Sequence, residues 1–454
     1  MSDPSSPPPL RPPSYSAPAP GDPPRQRGVS WKRALAICAG VVVLALVALV
    51  GLGLWERREL RRELDALPTY GYTESPELAS AKAGIKARDD RTARIGQVIS
   101  DAMAGQSAAL LGGDKATFVG YAAPGYRLGQ TWLTRSFTSL RAMGVAQWTP
   151  KVDSWTPYSG TRWQSTIDVS YCFVAGCATP STITLHTMWD LADEAHPRMT
   201  ELWEYTGGQA TPPWAQTVLQ AKVGSRVIVA GPAATAGRFG AVLAEAEKAA
   251  KVADRYALTT TPSKYVVYLA GAKEWGRWPY GEEGDWVAGY AEPERESVVL
   301  RASSATPSFL PELLRHEMGH VSTLAGQGSK VKYADAWWLV EGMADYVAAE
   351  ERPFAQYSDR PVTISFVRGK WNGDLRVGAP KKKASPADAN GRYGTAYLGV
   401  SCLVQQYGRA RALGFFHAVA VVGSPLTTAA TEQLGVPWTT VSSTCTAQIR
   451  RTAH

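Results

Sequence analysis

The 454-residue chain is longer than one typical hydrophobic core and predicts two or three folded units. Its formal net charge of +8 comes from basic residues scattered along the chain, apart from a short lysine run at 381–383. Because no sustained basic stripe is present, the composition argues against nucleic acid as a partner and suits a protein beside an anionic membrane or cell envelope.

The first 89 residues predict a membrane anchor. Residues 1–33 are rich in proline and serine, so we expect a disordered cytoplasmic tail. Residues 34–54 carry no charge and, at about 1.5 Å per residue, match the ~30 Å core of a bilayer, which predicts one transmembrane helix. Flanking charges disfavour a buried core helix, and the length of the run disfavours a signal peptide. Residues 55–89 are expected to form a stalk or linker.

The cysteines decide the expected orientation of this anchor. Basic residues flank the predicted span on both sides, so the positive-inside rule nearly ties. Beyond the span lie Cys172, Cys177, Cys402 and Cys445, an even number that is compatible with two disulfides in an oxidising compartment. Local order favours pairing the first two across a hairpin and the last two across C-terminal helices; four reduced thiols in a cytosolic domain are the alternative. We therefore expect a single-pass protein of the cell membrane whose folded part is extracytoplasmic.

Residues 90–220 predict a first α+β domain. A helical stretch over residues 91–111 is followed by segments with apolar side chains at every second position. The alternation runs through Ile167, Val169, Tyr171 and Phe173 and resumes at Ile183, Leu185 and Trp189. A helix followed by an antiparallel meander with many tryptophans resembles the NTF2-like fold. No cluster of acidic, basic or metal-binding residues stands out in this part of the sequence, so we expect a scaffold or binding role. His186 and His196 are expected to be surface or packed histidines.

Residues 225–454 predict a second α+β domain with a helical C-terminal part. The sequence has strand character at 227–229, 265–269 and 297–300 and an alanine-rich amphipathic helix at 241–256. Helical patterns follow these strands to the end of the chain.

His316, Glu317 and His320 form an HExxH motif that predicts a metal site on a helix. At i, i+4 spacing the two histidines share one face, so both imidazoles can bind one ion. Glu317 lies about 100° around the helix, where it can reach a metal-bound water. The opposite, core-facing stripe carries Leu314, Met318 and Val321.

A second motif about 20 residues later supplies a third ligand. Glu341 stands on a predicted helix, and catalytic zinc takes three protein ligands and keeps a fourth position for water. Asp345 lies four residues beyond Glu341 on the same face, where it can accept the other ring N–H of a ligating histidine.

HExxH followed by the segment Trp338 to Tyr346, which reads WLVEGMADY, resembles the gluzincin zinc peptidases, and most closely the bacterial peptidase MA-like membrane metallohydrolases. The resemblance covers about residues 225–450 and implies a zincin-like domain with a helical C-terminal subdomain. It implies Zn²⁺ bound by His316, His320 and Glu341, with Glu317 as general base.

The resemblance also implies two further parts of the site. A tyrosine from the C-terminal helices would steady the tetrahedral intermediate; Tyr393 is the candidate, with Tyr397 and Tyr346 as alternatives. Gly289-Tyr290-Ala291 and the strand after it resemble the edge strand along which gluzincins bind an extended substrate.

These features predict a membrane-anchored zinc metallopeptidase that hydrolyses peptides or proteins of the cell envelope. A zinc-binding pseudoenzyme that acts as an envelope binding module, and a sensor whose proline-rich tail signals inward, are the alternatives. Retention of Glu317 beside all three ligands favours the enzyme.

Overall fold

The computed structural model describes residues 75–205, 211–278, 286–327 and 331–453. The predicted tail, the predicted transmembrane helix and most of the predicted stalk lie outside these ranges. Within them, no helix has both the length and the apolar character needed to cross a bilayer. Residues 84–454 form one compact unit. Its mixed α+β structure with two sheets confirms the predicted α+β class.

A helical segment followed by a four-stranded sheet forms the first part of this unit. Its helices are α1 (Pro76–Gly112), α2 (Lys115–Gly120) and α3 (Arg127–Ala142). Its strands are β1 (Gln147–Ser159), β2 (Arg162–Cys172), β3 (Ser181–Asp190) and β4 (Arg198–Tyr205), paired antiparallel in the order β1-β2-β3-β4. Helix α1 begins 15 residues before the predicted start at residue 91, because its first turns are exposed and carry no apolar periodicity.

The predicted alternation is confirmed in β2 and β3. Ile167, Val169, Ile183 and Leu185 are buried, and the Trp189 indole is fully buried. These side chains pack against the inner face of α1, as period-two strands with one covered face require.

A second sheet of five strands follows. After the short α4 (Pro213–Gln216), its strands are β5 (Gln220–Val223), β6 (Val227–Gly231), β7 (Tyr265–Ala270), β8 (Gly289–Glu292) and β9 (Ser297–Arg301). The order is β5-β6-β7-β9-β8, with the three central strands parallel and both outer strands antiparallel to their neighbours. Helix α5 (Phe239–Ala253) connects β6 to β7, and α6 (Ala272–Trp275) follows β7.

Both faces of this second sheet are buried, which explains its near-continuous apolar strands. One face packs on α5 and on α7 (Leu310–Thr323) through Val227, Val229, Val267 and Leu300. The opposite face joins the core of the first sheet through Ile228, Ala230, Val266, Tyr268 and Val299.

The remaining chain is helical. Its helices are α7, α8 (Tyr333–Ala348), α9 (Arg360–Gly369), α10 (Pro386–Tyr407), α11 (Arg409–Phe416), α12 (Leu426–Ala429) and α13 (Trp438–Thr452). Single 3₁₀ turns lie at Ala233–Arg238, Asp254–Tyr256, Pro293–Arg295 and Phe354–Gln356, and π-helical turns at His417–Val422 and Ala430–Leu434. Helices α8 and α10 lie at the centre of the hydrophobic core of this helical part, which is separate from the two cores described above.

Two disulfides join the cysteines in the pairing that local order favours. Cys172, at the end of β2, is bonded to Cys177 in the turn before β3. Cys402 of α10 is bonded to Cys445 of α13, and the two are 43 residues apart. Because a crosslink over a longer loop removes more entropy from the unfolded chain, the second bond is the more stabilising of the two.

Helices α8 and α10 approach each other most closely at Gly342. A Cβ at this position would lie 2.7 Å from the carbonyl carbon of Ala396 and 2.9 Å from a methyl group of Val400. Because backbone atoms cannot move aside as a flexible side chain can, Gly342 sets the distance between α8 and α10. Glu341 is the next residue in α8, so this distance also affects its position.

We predict that Gly342→Ala lowers the free energy of unfolding by about 1–3 kcal/mol, because the added methyl group overpacks the contact with α10. Chemical denaturation measures the change. Gly84→Ala is the matched control, since a Cβ at Gly84 meets nothing within 4 Å and alanine is the better helix former. Equal stability of the two variants would contradict the close packing.

Candidate metal centre

Helix α7 presents the HExxH motif at the surface of the second sheet. Leu314, Met318 and Val321 are fully buried against the sheet, which turns the opposite face of the helix toward α8. His316 is half-buried on that face and His320 is 8% exposed. The predicted core-facing stripe is therefore confirmed.

The structure brings His316, His320 and Glu341 together. The Nε2 atoms of the two histidines are 3.2 Å apart, and Oε2 of Glu341 lies 3.2 Å from one and 3.3 Å from the other. Corners of a tetrahedron whose centre is about 2.0–2.1 Å away, as in zinc–nitrogen and zinc–oxygen bonds, are about 3.3–3.4 Å apart. The three donor atoms thus occupy one triangular face of a zinc-sized tetrahedron.

Asp345 supports this group from one helical turn beyond Glu341. Its Oδ1 lies 2.7 Å from Nδ1 of His316, so Nδ1 is the protonated nitrogen and Nε2 remains a metal donor. The hydroxyl of Tyr357 donates to the other oxygen, Oδ2, at 2.7 Å. Tyr357 thus orients the Asp345 carboxylate, and Asp345 orients the His316 imidazole before any ion binds.

Tyr333, at the start of α8, is a site residue that the sequence analysis missed. Its hydroxyl donates a hydrogen bond to Oε1 of Glu341, while Oε2 is the oxygen that lies beside the two histidines. The side chain is 46% exposed and lines the cavity beside the metal group. No local pattern indicates this contact, because eight residues end about 80° past two full helical turns and the backbone of Ala336, between Tyr333 and Glu341, is not helical.

Glu317 lies between the metal group and the edge of the second sheet. Among the described residues β8 pairs only with β9, so the predicted edge position is confirmed for Gly289-Tyr290-Ala291. The strand after it, β9, lies between β7 and β8 and is not an edge. A Cβ on Gly289 of β8 would fall 2.9 Å from Oε1 of Glu317, so glycine allows the strand to approach this carboxylate. Burial raises the pKa of Glu317, although the two histidines oppose the shift.

The electrostatics of the ligand group favour a cation. Burial would raise the pKa of Glu341, but the charge of His320 and the hydrogen bond from His316 lower it to about 2. Burial would lower the pKa of His316, but Asp345 and Glu341 raise it well above its ordinary value. Without a metal, Asp345 and Glu341 favour the protonated form of His316, and a divalent cation would take the place of the proton on Nε2.

Two cavities open on either side of Glu317. The larger, of about 570 Å³, contains all three ligands and is walled by Trp286, Tyr290 and Trp337. The smaller, of about 120 Å³, contains Glu312, Asp345 and Asp359. Because His316, Glu317 and Gly289 line both, the two cavities adjoin beside β8, and we call the pair the cleft.

Of the three tyrosines considered for the site, Tyr393 is the one that lines this cleft. Its ring centroid lies 6.0 Å from that of His316 and 5.0 Å from that of Trp337. Tyr346 and Tyr397 are buried instead in the helical core, where Tyr397 donates to the carbonyl of Arg352.

The residues present fit a catalytic metal. His316, His320 and Glu341 are the one set of three such ligands that converges within the described parts of the chain. Two imidazoles and a carboxylate are the donor set of zinc peptidases, and the cavity leaves a fourth position accessible. His186 stacks on Trp203 and His196 contacts Asp193, so both lie elsewhere.

No protein-family model matches this chain, and a search of curated proteins finds no significant match. The interpretation of the site therefore depends on its own geometry.

We predict that the folded part binds about one zinc ion per chain and that Asp345→Asn weakens zinc binding 10- to 100-fold, because the amide no longer fixes His316 as the carboxylate does. Competition with a fluorescent chelator measures the affinity. Glu341→Ala should weaken binding more than Asp345→Asn, and Asp193→Asn, which removes the carboxylate beside the exposed His196, should have no effect. Full zinc occupancy in a His316→Ala, His320→Ala double variant would disprove the assignment.

Proposed function

We propose that this protein is a zinc-dependent metallopeptidase of the gluzincin type, with a zincin-like catalytic part preceded by an NTF2-like part. The observation that carries the proposal is the meeting of three zinc-type ligands and a buried carboxylate, Glu317, in one cleft beside an edge strand. A purely structural metal site has no need of the carboxylate or of the open position.

When bound by His316, His320 and Glu341, zinc supplies a Lewis acid that polarises a carbonyl and promotes the ionisation of water near neutral pH. The protein moves the protons. Glu317 accepts a proton from the attacking water on a carboxylate oxygen and then gives it to the nitrogen of the leaving amine. Burial raises the pKa of this carboxyl group in the protein without metal, which favours proton uptake.

Neighbouring groups have positioning roles in this scheme. Tyr393, packed on His316, is assigned the stabilisation of negative charge on the substrate oxygen by a donated hydrogen bond. The outer edge of β8, which pairs with no other strand among the described residues, supplies backbone N–H and C=O groups that can pair with an extended peptide. Both assignments agree with peptides or proteins of the cell envelope as substrates.

Localisation at the cell membrane, with the folded part extracytoplasmic, is supported by the two disulfides, since such bonds persist in oxidising compartments. A periplasm-type reporter enzyme that needs disulfides for activity, fused after His454, is expected to be active. The same reporter fused before residue 34 should be inactive. Activity of only the second fusion would reverse the proposed topology.

We predict that Glu317→Gln lowers kcat/KM for peptide cleavage about 10²- to 10⁴-fold while zinc remains bound, because Glu317 transfers the proton but is not a ligand. Cleavage of a mixed peptide library by zinc-loaded protein, analysed by mass spectrometry, measures the loss. Glu245→Gln, which removes a carboxylate from the surface of α5, is the control and should retain full activity.

The same assay separates the enzyme from the pseudoenzyme. If the wild-type protein carries zinc and cleaves neither the peptide library nor an extract of envelope proteins, the peptidase proposal fails. A metal-stabilised binding module would then account for the site.

A further inference from the structure

We propose that Lys382 makes the larger cavity selective for a substrate with a carboxylate group close to the scissile bond. This inference rests on the proposed function, since it concerns the substrate of the same cleft. Apart from the metal ligands and Glu317, Lys382 is the one charged side chain among the described residues that line this cavity. A substrate bound there, beside the metal, therefore meets one cationic side chain in a cavity whose other walls are mainly apolar and aromatic.

Within the described parts of the chain no carboxylate pairs with Lys382, whereas three other cations of its region are paired. Lys370 and Arg392 both pair with Asp388, at 3.5 Å and 3.0 Å, and Arg376 pairs with Asp374 at 2.8 Å. Lys381 and Lys383 also lack an ion pair there, but neither lines the cavity. The charge of Lys382 is thus available to a ligand, and its two neighbours provide matched controls.

The turn that carries Lys382 is fixed to the helix that carries Tyr393. The guanidinium of Arg392, on α10, donates to the carbonyl of Gly378 at 3.0 Å, and Pro380 is buried. After the lysine, the N–H of Ala384 donates to the carbonyl of Lys381 at 2.8 Å, which closes the turn around Lys382. The backbone of this cation is therefore held at the rim of the site before substrate arrives.

The other half of the cleft has the opposite charge. The smaller cavity contains Glu312, Asp345 and Asp359 and, among the described residues, no lysine or arginine. An acidic group on a peptide that lies along β8 is thus attracted in one half of the cleft and repelled in the other. Selectivity for acid is expected on one side of the scissile bond only.

A peptide has two sources of carboxylate, an aspartate or glutamate side chain and its C-terminus. Cleavage of two series of matched peptides distinguishes them. In the first series, glutamate replaces glutamine at each position flanking the cleaved bond. In the second series, a free C-terminal acid replaces the C-terminal amide. The wild-type, zinc-loaded protein is expected to prefer the acid in one series by about 3- to 30-fold in kcat/KM, the range of a partly screened charge pair.

Three variants test whether Lys382 causes this preference. Lys382→Gln is expected to reduce it to within about twofold of unity, and Lys382→Glu to reverse its sign, because only the local charge changes. Lys383→Gln loses the same charge outside the cavity and is expected to keep the preference. An unchanged preference in Lys382→Gln, or its equal loss in Lys383→Gln, would overturn the inference and leave the peptidase proposal intact.

A binding measurement keeps the test independent of turnover. Two hydroxamate dipeptides that differ only in glutamate or glutamine are titrated into the zinc-loaded wild type and Lys382→Gln by calorimetry. Tighter binding of the glutamate compound that disappears in Lys382→Gln supports the carboxylate site even if no peptide is cleaved. Equal binding of both compounds to the wild type would disprove it.

Discussion

The structure depends on the burial of one carboxylate inside α8, a helix that is almost entirely buried. Glu341 is 2% exposed and is preceded by Trp337, Trp338, Leu339 and Val340, all of them buried. An ionised group in such surroundings is strongly destabilising unless it is paired and hydrogen-bonded. His316, His320 and Tyr333 supply that pairing, so α7 and the start of α8 must lie where their side chains reach one point.

Contacts that hold these ligand side chains in place extend far into the C-terminal helices. Asp345 links His316 to Tyr357, and the Tyr357 ring stacks on Tyr397 of α10 with centroids 4.5 Å apart. Helix α10 then contacts α8 at Gly342 and is crosslinked to α13 through Cys402. The C-terminal helices thus act as the frame that fixes the orientation of a metal ligand, as a supporting shell must.

The sequence predicted those features that depend on residues close together in the chain. The i, i+4 spacing of His316 and His320 and the alternation in β2 and β3 are local periodicities, so the helix face and the strand faces were predicted correctly. Tyr357 escaped prediction because a loop brings it to Asp345, and no local pattern encodes that approach. The two-sided cleft and the position of Lys382 likewise depend on contacts between distant segments.

The shared face of the second sheet also limits how this architecture can vary. Ile228, Val266, Tyr268 and Val299 pack in the same core as the first sheet, so neither half possesses a complete interior of its own. A segment that started at β5 would present that apolar face to water. The two halves must therefore be inherited and exchanged together, and on the ribosome the first half emerges with its core unfinished until β9 has been synthesised.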